Sequence, residues 1–145
     1  MKKYMVPYLG LALLFVLVLS ACASAAPAEA AEPVADVAVP DEYAGLTNPL
    51  EGDSDAIEAG KVVYETNCVS CHGETGLGDG PAGASLSPKP GNLQEVAAND
   101  TVDRIYWRVS EGGMMEPFNS SMPAWKGVLS EDERWQVVSF VKTLK

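Results

Sequence analysis

The chain has 145 residues with 20 acidic and 10 basic side chains, a formal net charge of −10, and a single histidine beside three cysteines. A surface this negative excludes nucleic acid as a partner and is repelled by anionic lipid. A structural zinc site wants four cysteine or histidine ligands. With Cys22 placed in an export signal, the remaining Cys68, Cys71 and His72 fall short of that without a carboxylate or a partner chain.

Residues 1–21 read as a targeting segment and are set aside from fold reasoning. Lys2 and Lys3 form a positive n-region, residues 9–19 a strongly apolar h-region, and Leu19-Ser20-Ala21-Cys22 looks like a bacterial lipobox. In signals of that kind the cysteine is lipidated on sulfur and becomes the new N-terminus. The other reading is an uncleaved membrane span, because no charge occurs between Lys3 and Glu29 and about 20 such residues can cross a bilayer. The apolar core is short and decays into small residues, which favours the cleaved, lipid-anchored form. A single acyl chain binds membranes only marginally, whereas several hold firmly. Without Lys2 and Lys3 the mature chain carries 20 acidic and 8 basic side chains, a balance of −12.

Residues 22–54 are expected to form a linker. They are rich in Ala, Pro and Glu, carry Glu29, Glu32, Asp36, Asp41, Glu42, Glu51 and Asp53, and contain no Lys or Arg. Such a stretch buries too little apolar surface to offset its ordering entropy. As a flexible coil it spans on the order of 30 Å. Residues 43–50, with Tyr43, Leu46 and Leu50, are the part suited to docking on a partner.

The domain expected over residues 55–145 is small for a self-sufficient core. Its first helix begins at Ser54 or Asp55, with Asp55 and Glu58 at capping-box spacing and Ile57, Gly60, Val63 and Tyr64 on one face. Cys68-Val69-Ser70-Cys71-His72 follows directly. This C-x-x-C-H run reads as the attachment site of a c-type haem. Two thiols three positions apart on a helical turn can add to the two vinyl groups on one edge of a porphyrin, and the next residue then lies under the iron. His72 is the only histidine, so it alone can supply the proximal imidazole. A thioredoxin-like redox pair expects a βαβ context, and none is visible.

Residues 73–93 show no usable period; their glycines and prolines make a loop with fixed turns, placed to wrap the proximal side. A metal-bound histidine gives its other ring N–H to a carbonyl or carboxylate, and a proline carbonyl of this loop is the expected acceptor: Pro81 first, with Pro88 or Pro90 behind it. A second helix spans about 101–110, capped at Asn99, Asp100 or Thr101, with Val102, Ile105, Tyr106 and Val109 as its buried stripe. Trp107 and Arg108 fall off that stripe. They are either a rim tryptophan and a solvated arginine, or donors to a haem propionate.

Residues 112–125 fit neither a helix nor a strand period. Met122 precedes Pro123, which restrains its backbone towards an extended form and suits it to hold a thioether out as sixth ligand. Met114 and Met115 sit at the helix exit, where methionine is more often core filler. The last helix opens on the Ser130-x-x-Glu133 capping box and carries Trp135, Val137, Val138, Phe140, Val141 and Leu144, with Lys142 and Lys145 at its negative end.

Taken in order, Gly60-x-x-x-Tyr64, the C-x-x-C-H motif, the Gly-Pro loop, Met122-Pro123-Ala124-Trp125 and the last helix resemble the class I cytochromes c over residues 55–145. The resemblance implies a small all-α fold of three to five helices around one covalently bound haem c. It implies that the first and last helices cross with Gly60 and Tyr64 against Val137 and Phe140. It also implies one-electron transfer, with His72 and Met122 saturating the iron, rather than catalysis. The lysine ring that some members use for docking is absent. The lipobox, acidic linker and single haem together are also similar to the monohaem cytochrome subunit of bacterial alternative complex III, a quinol-oxidising membrane assembly. The expected setting is the extracytoplasmic (periplasmic) face of a bacterial membrane, with redox proteins as partners, either as a complex subunit or as a tethered shuttle. The alternative is a peroxidase-like haem enzyme or gas sensor with an open distal site, which must do without a distal histidine.

Overall fold

The computed structural model describes residues 37–145. The targeting segment, the lipobox with Cys22 and the linker as far as residue 36 lie outside the described residues. These hold five α-helices and no strand: α1 (Ser54–Asn67), α2 (Val69–His72), α3 (Leu93–Asn99), α4 (Val102–Glu111) and α5 (Glu131–Val141), with a 3₁₀ turn at Gly83–Ser85. Among the described residues no helix is long and apolar enough to cross a membrane.

The frame is the crossing of α1 on α5. Gly60 makes it possible: a Cβ there would lie 1.9 Å from the Gln136 carbonyl oxygen, so only glycine lets the two backbones meet. One turn on, Tyr64 is 1 % exposed and its ring lies 5.1 Å from that of Phe140. α5 starts at the expected capping box, in which Ser130 and Glu133 satisfy each other's backbone N–H. α1 is capped by Asp53 rather than Asp55: its side chain accepts from the N–H groups of Asp55 and Ala56. α4 completes the core through Tyr106, stacked on Trp135 at 3.8 Å and 10°. The buried Arg134 reaches back across this pair, its guanidinium 4.9 Å from the Tyr106 ring and its Nη1 donating to Ser110 Oγ at 2.6 Å. A buried cation is tolerable only with such partners.

Two expectations change. The loop over residues 73–93 is followed at once by α3, which carried no readable period because only Leu93, Val96 and Ala97 of its seven residues pack inwards. Asn92 caps it, accepting from the Gln94 N–H, and Lys142 closes its other end by donating to the Ala97 and Asp100 carbonyls. Lys142 therefore serves α3 as well as ending α5.

The second change concerns residues 37–53. The expected linker reached Ser54, with residues 43–50 kept for a partner, yet this stretch packs on its own domain. Tyr43 is 4 % exposed and belongs to the core; Val37, Val39 and Leu50 pack against it. Asn48 is buried, donating from Nδ2 to Ser139 Oγ at 2.8 Å. Gly45 N–H bonds Asp103 Oδ2 at 2.8 Å, and Arg104 Nη2 bonds the Val37 carbonyl at 2.6 Å. An acidic, proline-bearing composition argued for a solvated coil, but one aromatic and one amide aimed inwards outweigh it.

Candidate haem site

α1 runs into the C-x-x-C-H motif almost without a break. Cys68 ends α1, its N–H bonded to the Tyr64 carbonyl at 2.8 Å, and it also begins α2, its carbonyl accepting from Cys71 and His72 N–H. Both thiols and the imidazole thus start from one helical turn. Gly73 terminates it at φ +79°, a conformation favouring glycine, and the Tyr64 hydroxyl donates to the Gly73 carbonyl at 2.7 Å. The Gly-Pro loop then folds over the turn. Gly78, Gly80 and Ala82 N–H bond the carbonyls of His72, Cys71 and Ser70, and a Cβ on Gly80 would sit 2.5 Å from the Ser70 oxygen.

His72 Nδ1 donates to the Gly91 carbonyl at 3.4 Å. The acceptor is therefore not Pro81, which follows Gly80 against the α2 backbone and is exposed. The carbonyl arrives from the far end of the loop, where Gly78 lies close to the Pro90 oxygen and Leu93 N–H bonds the Gly76 carbonyl. With its proton committed at Nδ1, the ring keeps the Nε2 lone pair free for a metal. Burial pushes the His72 pKa below its ordinary 6.5, against a smaller upward pull from the Gly91 carbonyl, so the ring is neutral at pH 7. Burial, with the neighbouring Cys71, pushes the Cys68 thiol up to about 11. That is opposite to the low-pKa thiolate of a redox-active C-x-x-C pair, and the two cysteines form no disulfide.

Met122 is held by backbone. Gly112, at φ +70°, lets the Met122 and Pro123 backbone approach to where a Cβ would stand 2.5 Å away. Gly113 N–H bonds the Met122 carbonyl at 2.9 Å, and Ser120 N–H bonds the Gly113 carbonyl at 2.7 Å. Beyond Pro123, Trp125 and Lys126 N–H bond the Val109 and Ser110 carbonyls at the end of α4. Met122 is half-buried, whereas Met114 and Met115 are exposed by 74 % and 37 % and fill no core.

Trp107 is no rim residue: it is 5 % exposed, inside the core, and edge-on to Phe118 at 5.5 Å. Arg108 lies with its guanidinium 3.5 Å from the Phe118 ring, and its Nη1 is buried with no hydrogen-bond partner in the chain. Burial, with Arg104 nearby, lowers its pKa to about 10. An orphaned guanidinium nitrogen is costly unless an anion meets it, and a carboxylate is its geometric match. Two thiols and an imidazole on one turn, a thioether on a pinned loop and this unpaired cation fit a haem c with its propionates. Gly91 and Phe118 were not singled out as site residues from sequence; the Gly112–Gly113 pair carried a signal there, as the stop of the second helix.

The chain matches the family model described as cytochrome c oxidase, cbb3-type, subunit III over residues 55–141. It is 31 % identical over 106 residues to the cbb3-type cytochrome c oxidase subunit FixPc of Rhizobium leguminosarum bv. viciae, a match covering 69 % of this chain and 31 % of that protein. The chain thus spans about a third of that relative. Cytochrome c6 of Leptolyngbya boryana is 33 % identical over 88 residues, covering 61 % of this chain and 91 % of that one. A chain of the Kuenenia stuttgartiensis reducing HAO-like protein complex superposes with a TM-score of 0.55 at 29 % identity, covering 69 % of this chain and 47 % of its own. The helical frame and these relatives agree: the chain belongs to the cytochrome c family of the cbb3-type subunit III description, class I in fold, with one covalently bound haem c.

Proposed function

We propose that Cys68 and Cys71 hold the haem through thioether bonds, that His72 and Met122 are its axial ligands, and that the domain works as a membrane-tethered electron carrier. The observation that carries this reading is the state of the His72 ring: Nδ1 is spent on the Gly91 carbonyl beside two half-buried thiols of the same turn. When bound, the haem supplies one-electron chemistry; a thioether ligand favours a higher potential than a second histidine would. The chain's part is to fix the ligands and limit water. The Gly91 bond orients the imidazole, the Gly112–Gly113 turn holds the thioether loop, and Arg108 offsets propionate charge.

The setting we infer is the extracytoplasmic face of a bacterial membrane, with lipid on Cys22 as anchor. The Rhizobium relative, a cbb3-type oxidase subunit, and the Kuenenia assembly support a complex subunit; the likeness to cytochrome c6 over nearly its whole length supports a shuttle. We favour the subunit of a membrane oxidoreductase, quinol-oxidising in the reading of the lipobox and acidic tether, with a basic partner face opposite this acidic chain. Solubilisation of native membranes in mild detergent tests it. Co-migration with integral-membrane redox subunits is expected; recovery alone would make the protein a shuttle. A ferric spectrum of low-spin, methionine-ligated type is expected in either case, and a high-spin spectrum would turn the reading towards a haem enzyme or gas sensor.

A further inference from the structure

The strap formed by residues 37–53 precedes the family match at residue 55, and one of its side chains reaches the loop that carries Met122. The Tyr43 hydroxyl donates to Glu111 Oε1 in a short bond, and Lys126 Nζ lies 3.3 Å from that hydroxyl and 3.1 Å from the same carboxylate oxygen. Three segments meet there. Tyr43 belongs to the strap, Glu111 is the last residue of α4 before the Gly112 turn, and Lys126 follows Met122 by four residues.

The loop from 112 to 126 is pinned twice: the Gly113–Met122 pairing closes it on itself, and Trp125 and Lys126 N–H bond the Val109 and Ser110 carbonyls of α4. Glu111 and Lys126 flank that loop at its two feet, and their side chains are tied to each other only at this junction. Lys126 is largely exposed, its side chain retaining 55 % of its accessible surface. An exposed ion pair by itself is worth little, because holding a long side chain in one geometry opposes the weak attraction. Tyr43 changes that balance. Its ring is fixed in the core beside Tyr106 at 6.1 Å, so its hydroxyl is an immobile third partner. The strap in turn is held by Asn48 on Ser139 and by Gly45 on Asp103.

We propose that Tyr43 is a positioning residue for the distal methionine: the strap closes the two feet of the Met122 loop and so resists displacement of the thioether from the iron. The inference rests on Met122 being the sixth ligand. A loop that must open before another ligand enters binds that ligand with its intrinsic affinity reduced by the fraction open. Loosening the feet raises that fraction.

The test is titration of the full-length ferric holoprotein with imidazole, followed by its spectrum, for wild type, Tyr43→Phe, Lys126→Met, the double variant, Met122→Ala and Ala56→Gly. Tyr43→Phe should bind imidazole roughly fivefold more tightly, the factor expected from losing about one ordinary hydrogen bond from the closed state. Lys126→Met should act in the same direction. The double variant should add little to either, since both break one junction. Ala56→Gly destabilises α1 away from the junction and should bind imidazole as wild type does. If Met122→Ala opens the iron while Tyr43→Phe matches wild type or Ala56→Gly, the positioning role is overturned although the ligand stands. If Met122→Ala leaves the spectrum unchanged, the ligand assignment itself has failed.

Discussion

Gly60→Ala places one methyl group at the point where α1 and α5 touch. Built on the existing backbone, that Cβ lies 1.9 Å from the Gln136 oxygen and 2.4 Å from its carbonyl carbon, whereas ordinary contact begins near 3.4 Å. The helices must part by roughly 1.5 Å there, because the obstacle is helical backbone that cannot rotate aside. Overpacking of this kind costs about 1–3 kcal/mol, and a rigid obstacle puts the loss near ~3 kcal/mol. Alanine returns ~1 kcal/mol through helix propensity, so the net loss is about 2 kcal/mol. At roughly 4–8 °C per kcal/mol for a domain of about this size, the Tm should fall by about 10 °C. Thermal unfolding of the holoprotein, followed by far-ultraviolet circular dichroism, measures this. A Gly/Ala pair at the exposed Glu58 of the same helix calibrates the propensity gain. The haem should stay attached, because separating the helices breaks no thioether. A midpoint equal to or above wild type would refute the crossing geometry, since propensity alone predicts a gain.

Four further outcomes are expected. Changing Cys68 and Cys71 together to Ala should abolish haem staining on a denaturing gel, because thioether bonds are what survive unfolding. Met122→Ala should convert the iron to high spin and lower the potential; Met114→Ala and Met115→Ala should leave the spectrum unchanged, both side chains being exposed. Arg108→Gln should lower the potential by on the order of tens of millivolts, since removing a buried positive charge disfavours the reduced haem; redox titration reads it, and an unchanged potential would remove Arg108 from the haem's surroundings. The Tyr43 and Lys126 hydrogen bonds lower the Glu111 pKa below its ordinary 4.5. Its contribution to stability is therefore complete above that value and lost as pH falls through the lower folded value. Glu111→Gln should flatten the stability profile in that acid window, read by denaturant midpoints across pH.

The sequence by itself determined what local chemistry determines. C-x-x-C-H is legible because covalent attachment needs two thiols and an imidazole at fixed spacing on one turn, and no fold is required to see it. Gly60 and Tyr64, one helical turn apart, stand out as a small residue beside an aromatic, and the family resemblance implied the crossing they make; Ser130-x-x-Glu133 was legible because a capping box is closed within four residues. Tertiary structure decided whatever depends on residues far apart in the chain. The acceptor for His72 lies 19 residues on, at Gly91, because the Gly78–Pro90 contact brings the loop end back. Trp107 falls off the helical stripe, which suited either a rim residue or a propionate donor, yet it is buried and Phe118 of the methionine loop packs edge-on against it. Tyr43 looked like part of a solvated linker because composition averages over a segment, whereas burial is settled one side chain at a time. Its partners, Tyr106, Glu111 and Lys126, come together only once α4 and the loop after it have folded.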